Sequence, residues 1–213
     1  MKKLSLALAL AIGVSGTALA APVDLTFSGN FAKDNDVLQF NFNIGTDRSV
    51  TVVSSSWVEG GFDPILSIFN ASGNLMNVQD DGGLTGSLTI DSGTYSYDVW
   101  DSYYTVSLTA GSYIAVVTQY DNFPNSTSLA DGFEQDGDPH FTFTQGFGGA
   151  TQPDFNGVWD NDDPRTSFWR FHLLNVDDAE VIDPNPVPEP ATLTLFGASL
   201  LGLAATRRRR TRV

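Results

Sequence analysis

Apolar residues along most of this chain alternate with polar ones instead of recurring every three or four positions. Leu38, Phe40, Phe42 and Ile44 alternate, as do Tyr95, Tyr97 and Val99, and then Tyr104, Val106 and Leu108. Alternation of this kind predicts half-buried β-strands. Between the runs lie Ser28-Gly29-Asn30, Gly60-Gly61, Ala71-Ser72-Gly73-Asn74, Asp81-Gly82-Gly83, Ser92-Gly93 and Ala110-Gly111, all turn-forming sequences. Short strands at about ten-residue spacing, joined by such turns, predict an antiparallel β-sandwich. FWRFHLLNV, at 168–176, reads as the last strand, and its two apolar faces predict burial on both sides.

The two ends break this pattern. Lys2 and Lys3 precede an apolar stretch at 4–14, and Ala18, Leu19 and Ala20 then precede Ala21. Basic start, apolar middle and A-x-A ending are the parts of a secretory signal peptide cut between Ala20 and Ala21. At the other end, residues 191–206 would make about 24 Å of helix, short of a hydrocarbon core of about 30 Å. Arg207, Arg208, Arg209, Arg210 and Arg212 follow and can extend its reach by snorkelling. Basic residues at both ends predict two cytoplasmic termini and an exported middle. Segment by segment the expectation is a signal peptide at 1–20, a domain at 21–181, a Pro-rich linker at 182–190, a transmembrane helix at 191–206 and a basic tail at 207–213.

Charge sharpens the division. Between the ends only Lys33, Arg48, Arg165 and Arg170 are basic, against every one of the 25 acidic residues except Glu189. Such a surface repels nucleic acid and anionic lipid. With no cysteine, the chain has no disulfide, thiol nucleophile or lipobox, and packing must stabilise it.

In the linker, Val187-Pro188-Glu189-Pro190 follows Pro184 and Pro186, and alternate prolines favour an extended, accessible strand. V-P-E-P, a short apolar segment and an arginine cluster together resemble the PEP-CTERM sorting signal of Gram-negative bacteria. The resemblance implies export by Sec-type machinery and transient retention in the inner membrane. It also implies cutting near Pro188-Glu189-Pro190 by an exosortase, then release to the cell surface or extracellular matrix, typically in bacteria that make exopolysaccharide. It supplies an address and no activity.

Three stretches of the middle, FSGNFAKDNDVLQFNFNI, GGFDPILSIFNASGNLMNVQDDGG and WDSYYTVSLTAGSYIAVVTQYDN, resemble the bacterial pre-peptidase C-terminal (PPC-like) β-sandwich over about 23–146. The resemblance implies an all-β, antiparallel sandwich of jelly-roll or Greek-key type. Asp63-Pro64 is expected to start a strand, Ser72-Gly73-Asn74 to turn a hairpin, and 113–117 to form the most apolar strand. A loop or insertion is expected at 147–165.

Candidate chemistry is sparse. The chain has no G-x-S-x-G, H-E-x-x-H, P-loop or G-x-G-x-x-G motif. His140 and His172 alternate into HFTF and FWRFHLL and read as strand residues. Calcium is the one cofactor to weigh, because carboxylates on glycine-rich loops supply the oxygens it takes. The candidate ligands are Asp80, Asp81, Asp131 and Asp136, with Asp160-Asn161-Asp162-Asp163 a further acidic cluster. Trp57, Trp100, Tyr103 and Tyr104 could stack on sugar rings, and a sandwich core uses the same residues. The leading expectation is a non-catalytic exported surface or matrix protein with exosortase as its processing partner. A calcium-assisted carbohydrate or exopolysaccharide-binding module and a hydrolase using carboxylates stay open beside it.

Overall fold

The computed structural model describes residues 21–90, 93–157 and 164–182. The expected signal peptide, the linker motif, the apolar segment, the arginine cluster and the acidic run at 160–163 lie outside the described residues. Among the described residues no helix is long and apolar enough to cross a membrane.

Eleven strands form in the described residues: β1 (Val23–Asn30), β2 (Leu38–Ile44), β3 (Arg48–Ser54), β4 (Pro64–Asn70), β5 (Leu75–Asp80), β6 (Gly86–Ile90), β7 (Gly93–Tyr97), β8 (Tyr103–Leu108), β9 (Gly111–Gln119), β10 (Phe168–Val176) and β11 (Asp178–Ile182). One sheet has the order β1-β10-β3-β8 and the other β11-β2-β9-β4-β5, while β6 and β7 form a separate hairpin. Every strand pairing is antiparallel.

The alternation read from sequence sets the inner faces. Phe40, Phe42 and Ile44 of β2 join Val50 and Val52 of β3, Leu66 and Ile68 of β4, and Phe171 and Leu173 of β10 in one buried cluster. Both sheets contribute, so the architecture is an all-β sandwich. Phe40 lies at its centre, 4.8 Å from Phe171 and 4.9 Å from Phe27 between ring centroids. The apolar strand at 113–117 is the middle of β9, which runs between β2 and β4. A strand with neighbours on both edges and side chains buried on both faces must be apolar throughout, and Ala115, Val116 and Val117 are all buried. Val116 packs on the outer side with Phe69 and Phe133 in a second, smaller cluster.

β10 is buried on both faces for a different reason. Trp169, Phe171 and Leu173 point into the core, while His172 points out and is still fully buried. The hairpin of β6 and β7 provides that cover: the Tyr95 ring lies 4.6 Å from the His172 ring, and Tyr97 lies 5.2 Å from Tyr103. Burial on both sides is therefore as the sequence predicts. The expectation of a last strand is corrected, because β11 follows and pairs with β2. Arg48 and Asp177, 2.7 Å apart and largely buried, tie the turn between β10 and β11 to the start of β3.

Two further expectations meet the structure at loops. Val99 falls in a turn after β7 and is exposed, so the Tyr95, Tyr97, Val99 alternation stops at Tyr97. HFTF is a correction: it is one turn of helix, α1 (Phe141–Thr144), with His140 at its N-cap position. Asp34, fully buried, explains the departure. It accepts hydrogen bonds from the Thr142 N–H at 3.0 Å, the Thr142 hydroxyl at 2.6 Å and the Phe155 N–H at 2.6 Å. A carboxylate satisfied in this way holds 142 and 155 to one point, which an extended strand could not provide.

Gly61 sets the entry to β4. A Cβ placed there would sit 2.0 Å from the Phe168 backbone oxygen and 2.8 Å from that of Ser56. Backbone oxygens cannot move aside without breaking the bridge between Gly61 and Thr166. Gly61→Ala is therefore expected to lower unfolding free energy by about 2 kcal/mol or more, read from the urea midpoint.

Candidate metal centre

The entry to β4 and the exit from β5 lie side by side because the two strands are antiparallel, with Ile65 opposite Asp80. Asp63 precedes β4, and its carbonyl accepts the Tyr120 N–H at 2.8 Å, extending the ladder between β4 and β9 by one step. Its side chain is 2% exposed. Asp80 ends β5, and Asp81 follows with φ of 59°. Two contacts hold that turn: the Gln79 side-chain amide donates to the Asp81 carbonyl at 2.5 Å, and the Gly82 N–H donates to the Asp101 carbonyl at 2.9 Å. Gly82 is required because a Cβ there would lie 2.8 Å from the Tyr103 Cβ and 2.9 Å from the Asp101 oxygen.

The outcome is a convergence of three carboxylates. One oxygen from each of Asp63, Asp80 and Asp81 lies within 4.8 Å of the others. The Oδ1 atoms of all three are buried without a hydrogen-bond partner. On β9, opposite Pro64, the Gln119 Oε1 is also buried and unpartnered.

Asp101 shows by contrast what a satisfied buried carboxylate looks like in this fold. It accepts from the Ser54 hydroxyl at 2.8 Å and from the N–H groups of Trp57, Asp98 and Val58 at 3.0, 3.1 and 3.3 Å. Among the described residues no such donor reaches the Oδ1 atoms of Asp63, Asp80 or Asp81. Burial, followed by the charges of Asp81, Asp80 and Asp101, pushes the Asp63 carboxyl well above the usual range, against a smaller opposing effect of Arg165. Burial, then Asp81 and Asp121, raises Asp80 to about 6. Burial and Asp101 raise Asp81 as well. A buried group of like charges without donors is relieved either by protons or by a cation.

Of the four ligands expected from sequence, the structure brings Asp80 and Asp81 together and adds Asp63. Asp131 and Asp136 are engaged in their own loop. An Asp131 carboxylate oxygen accepts from the Ser126 hydroxyl, its carbonyl accepts from the Asn125 amide, and Asp136 accepts the Phe133 N–H at 3.0 Å. Asp63 is legible only once the pairing of β4 with β5 is known, since a seventeen-residue separation hides the contact and the Asp63-Pro64 pair by itself marks only a strand start.

The aromatic candidates divide. Tyr104 is buried in the core, and Tyr103 packs against Tyr97. Trp57 and Trp100 remain half-exposed, 5.8 Å apart, and the Arg165 guanidinium covers Trp57 at 3.7 Å. The histidines are held in place. The His172 ring nitrogens lie 3.0 Å from the Thr26 and Ser55 hydroxyls, and His140 Nδ1 lies 2.7 Å from Asp154.

None of these contacts assigns a destination to the protein, but the C-terminal segment does. Residues 186–210 match the PEP-CTERM protein-sorting motif. The match spans Val187, Pro188, Glu189 and Pro190 and reaches Arg210. It supports an exported substrate of exosortase, directed to the cell envelope or surface. No curated protein sequence matches the chain. Ala18 and Ala20, expected to form the signal cleavage site, lie outside the described residues, and Ala21 precedes β1.

Proposed function

We propose that the chain is a non-catalytic surface or extracellular-matrix protein, in which a PPC-like, acidic β-sandwich is the cargo and the C-terminal segment the address. The sorting motif at 186–210 is the observation that carries this reading. The arrangement of the chain supports the rest. Export would begin at the signal peptide, the segment at 191–206 would hold the protein in the inner membrane, and exosortase would cut near Pro188-Glu189-Pro190. The sandwich would then leave the arginines behind and carry almost the whole acidic complement outside. Such a charge keeps an exported domain soluble and gives it affinity for cations and cationic polymers.

The non-catalytic reading is supported by how the reactive side chains are used. His172 is enclosed with both ring nitrogens engaged, and its Ser55 neighbour is fully buried. A nucleophile and base so enclosed have no route to a polymer substrate.

The experiment is to express the chain in a host with exosortase and in the same host lacking it. Sandwich released from cells only in the first host supports the reading. Equal release from both would overturn it, and turnover of polysaccharide or ester substrates by the purified protein would overturn its non-catalytic part.

A further inference from the structure

We propose that Asp63, Asp80 and Asp81 form a calcium site that fastens the open edge of the five-stranded sheet. Among the described strands β5 is the edge of that sheet and pairs with β4, while at its start the Leu75 N–H donates to the Thr127 carbonyl at 2.8 Å. Its last residue is Asp80, so a cation shared by Asp80, Asp81 and Asp63 would join the exit of β5 to the entry of β4. It would also reach the end of β9, to which Asp63 is hydrogen-bonded through Tyr120.

More than acidity points to a ligand here. Asp63 is 2% exposed, and its Oδ1 is buried without a partner. An unpaired carboxylate oxygen at that depth is costly unless something answers it. Oxygens from Asp80 and Asp81 converge with it within 4.8 Å of one another, so a common point lies at most about 2.8 Å from all three, near the calcium–oxygen length of about 2.3–2.6 Å. Left to themselves, carboxylates brought together without donors would spread apart unless protons or a cation came between them. They are held instead by the β4–β5 register and by the contacts of Gln79 and Gly82.

Chemistry selects the cation. The converging groups are all carboxylates, hard donors that favour calcium or magnesium over softer transition metals. Three carboxylates can offer up to about six oxygens, and water can complete the shell of seven or so that calcium accepts. Magnesium holds its water more tightly and demands octahedral geometry at about 2.1 Å, which suits a site fixed by three separate backbone positions less well. Extracellular calcium would keep such a site filled after export. This proposal depends on the sandwich alone and stands or falls separately from the sorting reading.

The test is calcium titration of the purified exported protein, stripped with chelator, followed by calorimetry and thermal unfolding. One calcium per chain is expected, with the melting temperature rising by about 5–10 °C at calcium one hundredfold above its dissociation constant. Magnesium at equal concentration should give a smaller rise. Asp63→Asn removes a buried charge, so its calcium-free melting temperature should match or exceed that of the unsubstituted chain while the calcium response disappears. Should that variant not fold, Asp80→Asn carries the same expectation. Asp131→Asn should keep the full response. No heat and no thermal shift in the unsubstituted protein would overturn the proposal. A response retained in Asp63→Asn or Asp80→Asn would overturn it too, as would loss of the response in Asp131→Asn, and an equal response to magnesium would overturn the calcium assignment.

Discussion

Asp101→Ala is expected to lower the unfolding free energy by about 4 kcal/mol, a large part of the 5–15 kcal/mol typical of a domain. The carboxylate is fully buried and takes four hydrogen bonds, from Ser54, Trp57, Val58 and Asp98. Alanine leaves three backbone N–H groups and a hydroxyl without that acceptor. The Ser54 hydroxyl in turn accepts the Ser102 N–H at 3.0 Å, so the loss spreads into the start of β8. Relief of repulsion with Asp63 and Asp81 opposes this and trims the effect. Asp101→Asn keeps one acceptor oxygen and turns an amide toward two N–H donors, so it should fall between the two. Urea unfolding of the three proteins reads the order directly. A loss under about 1 kcal/mol for the alanine variant would show that the four bonds do not organise this end of the sandwich.

His172 gives the second large effect, and its sign is opposite to that of the raised carboxylates. Burial, followed by the nearby Arg170 charge, lowers its pKa to about 4 from an unfolded value near 6.5. Its neighbours are the Thr26 and Ser55 hydroxyls, the Tyr95 ring and Arg170, with Glu59 reached through Ser55 at 3.3 Å. The folded state therefore holds the neutral ring. Its contribution is complete above pH 6.5 and is lost as pH falls through 4, for a total of about 3 kcal/mol. Asp63, Asp80 and Asp81 have raised pKa values and favour the fold as they take up protons, so the overall pH profile mixes both signs. Comparison with His172→Gln cancels the carboxylates. The stability difference between the two proteins should shrink by about 3 kcal/mol between pH 7 and pH 4. A difference independent of pH would mean that His172 stays neutral in both states or charges without penalty.

Local pattern carried most of the strands and little of what lies between them. β2, β8 and β9 follow from alternation or from an unbroken apolar run, because each buries a face that its own residues declare. β11 did not declare itself. DAEVI is a short edge strand with mostly exposed side chains, so its pairing with β2 supplies what its composition does not. HFTF alternates like a strand but folds as a turn of helix around Asp34, more than a hundred residues away in sequence. The same distance effect governs the candidate metal centre. Asp80 and Asp81 are visible as an acidic pair before glycine, whereas Asp63 joins them only through the antiparallel register of β4 and β5. Asp131 and Asp136 look equally suitable on paper, and in the structure each accepts a hydrogen bond within its own loop, away from that cluster.

The address is the part of the chain that sequence expresses most fully, since residues 186–210 match the PEP-CTERM protein-sorting motif as a linear pattern. The intact mass of the extracellular protein tests that account most directly. Loss of the first twenty residues and of everything beyond the Pro188-Glu189-Pro190 region is the predicted result; a mass that still includes Arg207, Arg208, Arg209, Arg210 and Arg212 would contradict it.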